Sequence, residues 1–179
     1  MNKSIIKMTY TALFIALGLV LPMVFHMIPH AGNLISPMHI PVLLCGLICG
    51  FPYGILCGVV TPLLSSLLTG MPNVVSLPSM LCELAAYGLV SALLMQFVRT
   101  KNIYADIYIS LIGAMLAGRL FYGLVNALIF RVGQYSLGIW ATAAFLTAIP
   151  GVIAQLILIP LIIITLQTAK LTERKYPLH

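Results

Sequence analysis

The chain has 179 residues, of which 61% are hydrophobic and only 7% charged, with a mean hydropathy of +1.12. A water-soluble domain carries roughly a quarter of its residues as charges, so this composition excludes one. The formal net charge of +6 lies between and outside long apolar runs, and reads as membrane topology, not as a nucleic-acid footprint.

A hydrocarbon core about 30 Å thick needs about 20 helical residues to cross it. Residues 9–25 predict a first span, which carries Ala12-x-x-x-Ala16 followed by Gly18. Small residues at that spacing let another helix approach closely, either within the protein or from a partner. No small-residue cleavage site follows this run, so it does not read as a cleavable signal. The loop at 26–36 holds two histidines, two prolines' worth of turn chemistry with Pro37, and Asn33, so it reads as a lid or as a plain tether. Residues 37–50 predict a short second span, about 20 Å if wholly helical, with a re-entrant hairpin as its rival. Gly46, Gly50, Gly54 and Gly58 then recur every fourth residue through Phe51-Pro52-Tyr53, which predicts a tight hairpin with the third span at 51–69. Thr61, Ser65 and Thr69 line one face of that span. Gly70-Met-Pro-Asn73 is a second candidate lid, with Pro-Asn as a turn.

Residues 77–98 predict a fourth span, with Ser76, Ser79, Glu83 and Tyr87 as its polar stripe. Residues 107–129 predict a fifth, with Arg119, Tyr122 and Asn126 on one face at i, i+3 and i+7. Residues 140–166 predict a sixth, carrying Thr147 and Gln155. The expected fold is an all-α integral membrane protein, one domain over residues 1–179 with six transmembrane helices. Lys3, Lys7, Arg99, Lys101, Lys170, Arg174 and Lys175 are seven of the nine basic residues and all fall on one side of a six-span chain. The positive-inside rule therefore makes both termini cytoplasmic.

Charges inside a bilayer are costly and mark function by default. Arg119 lies about 18 Å below Arg131 along the fifth span, and its forked guanidinium suits the carboxylate of an anionic solute. Glu83 either orients that arginine or simply pairs with it to fix helix packing. The candidate substrate-binding set is Arg119, Tyr122, Asn126, Glu83, Ser79, Asn33, His30 and Asn73; the candidate partner-binding pair is Ala12 and Ala16. Cys45, Cys49, Cys57 and Cys82 read as packing residues inside spans. No metal or cofactor is assigned, because the cysteines lack histidine or carboxylate partners at ligand spacing. The chain has no G-x-x-x-x-G-K-[ST] loop, no H-E-x-x-H and no G-x-S-x-G, so no catalytic motif supports an enzyme. Its three acidic residues are few for a proton-driven carrier.

These residues resemble a family. Ala12-x-x-x-Ala16 in the first span, Met38-His-Ile-Pro-Val-Leu-Leu-Cys-Gly46 in the second, Thr61-Pro-Leu-Leu-Ser65 with Thr69-Gly-Met-Pro72, and Gly118-Arg-Leu-Phe-Tyr-Gly123 with Asn126 are similar to the substrate-binding S-components of energy-coupling factor (ECF) vitamin transporters. The resemblance implies capture of a vitamin in a pocket of the outer half, then association with a membrane scaffold subunit and two cytoplasmic ATPases. It also implies that Ala12 and Ala16 face the scaffold, and that the S-component topples to release its cargo. Among the family's cargoes pantothenate suits one buried arginine best, with folate and other vitamins as alternatives. A stand-alone homo-oligomeric carrier or channel, and a small intramembrane enzyme using Glu83 with a loop histidine, are the readings from other classes.

Overall fold

A computed structural model describes residues 3–26, 37–130, 138, 140, 142 and 148–172. The described residues form six α-helices: α1 (Lys3–His26), α2 (His39–Cys49), α3 (Tyr53–Thr69), α4 (Leu77–Phe97), α5 (Ile103–Val125) and α6 (Ile149–Thr168). A π-helical turn, Asn126–Phe130, prolongs α5. The chain is thus an all-helical membrane protein. The loop at 26–36, with His30 and Asn33, lies almost wholly outside the described residues, as does most of 131–147.

Four helices, α1, α4, α5 and α6, are long and apolar enough to cross a bilayer by length and composition; α2 and α3 are shorter. The expected second span takes an unusual position. Its eleven helical residues rise only about 16 Å, and ten of the eleven are buried. It touches each of the other five helices. A helix that is apolar all round is buried all round, so α2 is the central post of the bundle and presents almost nothing to lipid. The outer helices do the opposite, exposing Leu13, Leu17, Ile112, Leu116, Ile153 and Ile157.

Local signals set the helix ends. Asn102 accepts the N–H of Tyr104 through its side chain at 3.0 Å and starts α5, as an N-cap residue does. Gly50 and Gly70 close α2 and α3 at φ +75° and +71°, values that a side chain disfavours. At the end of α3, Ser65 and Ser66 donate to the carbonyls of Met71 and Pro72 at 2.7 and 2.9 Å, and Thr69 donates to Ser65 O. Thr61 is fully buried, and its methyl occupies the space that a Cβ at Gly18 of α1 would need. The expected polar stripe of the third span is therefore spent on its own turn and on α1.

The glycine run also packs differently from expectation. Gly46 and Gly54 do approach each other, but a Cβ at Gly54 would fall on the carbonyl of Gly88 in α4, and one at Gly88 on the carbonyl of Gly54. A Cβ at Gly58 would fall on Leu84 O. The backbone contact that the repeat permits is made chiefly by α3 on α4, with α2 alongside, since a lone glycine at 88 completes it. Gly50 serves the turn instead, with nothing near its missing Cβ.

On α1 the buried residues are Thr11, Phe14, Gly18 and Pro22, one stripe at helical spacing, while Ala12 and Ala16 are exposed on the opposite side. Three of the cysteines are buried, but Cys82 is exposed, which corrects the expectation that all four pack inside. Gly54→Ala should lower the thermal unfolding midpoint of the detergent-solubilised protein by the equivalent of about 1–3 kcal/mol, the cost of overpacking a tight contact. Ala12→Trp should leave that midpoint unchanged, because its side chain points away from the bundle.

Candidate functional site

The site grows from one carboxylate. Glu83 is buried on α4, one turn after Ser79 and one turn before Tyr87, so all three share a face. The Tyr87 hydroxyl donates to Glu83 Oε1 at 2.9 Å. The same oxygen lies 3.7 Å from His39 Nε2 of α2 and 3.8 Å from Arg119 Nε of α5. The His39 and Tyr87 rings meet edge to face, with centroids 5.2 Å apart. Three helices thus bring a hydroxyl donor, an imidazole and a guanidinium to a single oxygen, in a setting where a lone charge would be very costly.

Close packing fixes this arrangement. Tyr87 packs against α5 because residue 118 is glycine; a Cβ there would fall on the tyrosine ring. Trp140 is seated on Gly123 in the same manner, and its indole N–H donates to the Arg119 carbonyl at 3.1 Å. Asn126, at the start of the π-helical turn, donates to Tyr122 O at 2.8 Å and accepts from the Ser79 hydroxyl at 3.2 Å. Such turns recur at functional positions because they re-aim the side chains around them.

The pairing of Ser79 with Asn126 also explains how two charges at different depths meet. Below that shared level, Glu83 lies four residues along α4 and Arg119 seven residues along α5, about 6 and 10 Å. The remaining gap is within reach of an arginine side chain. Of the expected site residues, Glu83, Arg119, Ser79, Asn126 and, through its carbonyl, Tyr122 are brought into one neighbourhood. Asn73 is not part of it. It is exposed, and its side-chain oxygen accepts the Ser76 N–H at 2.9 Å, so its work is the turn that starts α4. His30 and Asn33 lie outside the described residues.

His39 is the residue that the sequence reading missed. Its ring is nearly buried, with a side-chain exposure of 7%, and its Nδ1 finds no hydrogen-bond partner among the described residues. An ionisable residue in a wholly apolar segment was the available signal. Among the described residues no group of three histidine, cysteine or acidic side chains is placed to hold a metal ion.

A family model described as ECF transporter, substrate-specific component, matches residues 6–163. The chain belongs to that family. No curated protein and no solved structure gives a significant match to it. The match runs from α1 into α6 and so takes in every residue of the Glu83 cluster. This S-component is therefore a subunit that a transporter uses for substrate specificity, and the polar cluster is its candidate site.

Glu83 and Arg119 of the S-component are unequal partners. Without Arg119, Glu83 keeps His39 and Tyr87; without Glu83, Arg119 loses its carboxylate. Glu83→Ala should therefore cost about 3–5 kcal/mol of stability, clearly more than Arg119→Ala. The double variant should recover part of the loss. Thermal or denaturant unfolding of the three proteins in one detergent measures this, and equal losses in both single variants would contradict the assigned asymmetry.

Proposed function

We propose that this S-component captures a small anionic vitamin-like solute, with pantothenate the best fit, and hands it to a transporter made with a membrane scaffold subunit and two cytoplasmic ATPases. The observation that carries the reading is Arg119, a largely buried arginine standing 3.8 Å from Glu83 at its nearest approach. At that separation the guanidinium is neutralised without being locked into a short bidentate pair. Its fork can then turn to a substrate carboxylate, with Asn126, Ser79 and the open Nδ1 of His39 nearby for hydroxyl or amide groups. A cationic cargo would have to displace or face that arginine. The Lys and Arg bias supports cytoplasmic termini and a multi-pass position in the cell membrane, which turns the Ser79–Asn126 end of the site outward.

The exposed Ala12–Ala16 face supports the partner role. Both residues are exposed in the bundle, and their small side chains would let a scaffold helix approach closely.

Mass spectrometry of small molecules retained by the purified protein would identify the cargo class directly; a cationic molecule alone would overturn the anionic assignment. Arg119→Ala should weaken solute binding by about 10- to 100-fold, the value of a charge-assisted hydrogen bond. Arg119→Lys should recover part of the affinity, since an ammonium lacks the fork. Calorimetry on protein with a preserved unfolding midpoint reads this, and unchanged affinity in Arg119→Ala would remove the residue from the site.

Ala12→Trp or Ala16→Trp should preserve solute binding yet abolish both uptake and co-purification with scaffold and ATPases. Normal uptake by either variant would move the contact face elsewhere.

A further inference from the structure

His39 is the member of the polar cluster whose charge its own chemistry leaves open. Arg119 is cationic at any physiological pH, and Glu83, which faces that guanidinium, carries the balancing negative charge. With a neutral imidazole the three groups sum to zero. All three side chains are poorly exposed, at 7% for His39, 8% for Glu83 and 15% for Arg119. A net charge among them would therefore be costly. The anionic solute proposed above would leave one negative charge uncompensated. One proton restores neutrality, and imidazole is the group that takes it, being about two pH units more basic than a carboxyl.

The geometry favours the same atom. His39 Nε2 faces Glu83 Oε1 at 3.7 Å, an oxygen that only accepts, so the neutral ring keeps its hydrogen on Nε2. The incoming proton then goes to Nδ1, which is buried and has no hydrogen-bond partner among the described residues. Without a solute, a charged ring would bury that N–H with no acceptor. An oxygen of the solute at Nδ1 supplies one, so occupancy and protonation support each other. Few other groups bear on this balance. α4 brings Glu83 and Tyr87, and α5 brings Arg119 with Tyr122 a turn beyond it. α6 carries no titratable residue. On α3 the last is Cys57, which bonds to Thr61, and on α1 no described side chain after Tyr10 titrates.

We propose that the site takes up its anionic solute together with one proton, held at Nδ1 of His39. The inference rests on the anionic reading of the solute, and the experiment separates the two. The full-length protein is titrated with pantothenate by calorimetry, at about pH 7.5, above the ordinary imidazole range, in buffers of different ionisation enthalpy. About one proton should be taken up per pantothenate bound, and affinity should fall as pH rises, by up to about tenfold per unit. In protein labelled with nitrogen-15 histidine, one of the four imidazoles should pass to the imidazolium form on binding. That reading uses the unchanged chain, so a variant that failed to fold would not silence the test. His39→Gln keeps a donor toward Glu83 and should bind with neither proton uptake nor a pH slope. Binding without proton uptake, or with all four imidazoles unchanged, would overturn the inference and leave the anionic solute in place. Uptake that persists in His39→Gln would overturn it too, moving the proton to Glu83. No binding of pantothenate would overturn the reading of the solute, and this inference with it.

Discussion

A single buried carboxylate holds the polar interior of this protein together. Glu83 stands where water does not reach, and an ion there survives only with compensating partners. Its partners come from α2, α4 and α5, so the charge that is most expensive to bury is also what aligns three helices. Arg119 shares the problem from the other side, since its guanidinium also needs an anion at that depth. A substrate carboxylate entering the site would relieve the same need. The ion pair need not be a device for stability, since buried pairs add little net stability by themselves.

These polar contacts between helices require the helices to be close, and the bilayer offers no hydrophobic force to push them together. Glycine supplies the approach. Gly54 and Gly88 bring α3 and α4 into backbone contact, with Gly46 of α2 beside them, and Gly118 lets the Tyr87 ring rest on α5. The central α2, buried on nearly all sides, presents His39 to Glu83 because α2 has nowhere else to face. Packing and site are thus one construction: remove a glycine from the α3–α4 contact and the carboxylate loses its geometry as well as its neighbours.

Much of this is legible in the sequence. The helices announce themselves by long apolar runs, and Glu83 and Arg119 by being charges within them. The i, i+3, i+7 spacing of Arg119, Tyr122 and Asn126 did mark one neighbourhood on α5. What was not legible depends on contacts between helices. The partner of the glycine run is on α4, where Gly88 stands alone with no periodic signal. His39 carries no obligatory charge, and its one signal is to be an ionisable group in an otherwise apolar segment. The hydroxyls of Ser65 and Thr69 look in sequence like a pocket stripe, yet a turn begins at Gly70 and its carbonyls take them. Asn73 raises the same ambiguity: a polar residue next to proline serves the backbone as readily as a ligand, and here its side-chain oxygen takes the Ser76 N–H.

The arrangement along the bundle axis bears on how a cargo would leave. From Glu83 to Ala92, which lines a cavity at the far end of the bundle, is nine residues or about 14 Å. That interval is filled by Leu84, Tyr87 and Gly88 of α4, Val42, Leu43 and Cys45 of α2, and Leu111 and Ala114 of α5, all of them buried. Side chains packed to interior density leave no space for a hydrated solute. A stand-alone channel would need that layer to part, separating the same glycine contacts and hydrogen bonds that define the site. A subunit that moves as a body needs no such opening, because its interior can stay intact. The packed layer beneath Glu83 therefore argues against passage of a hydrated solute through the interior of the bundle.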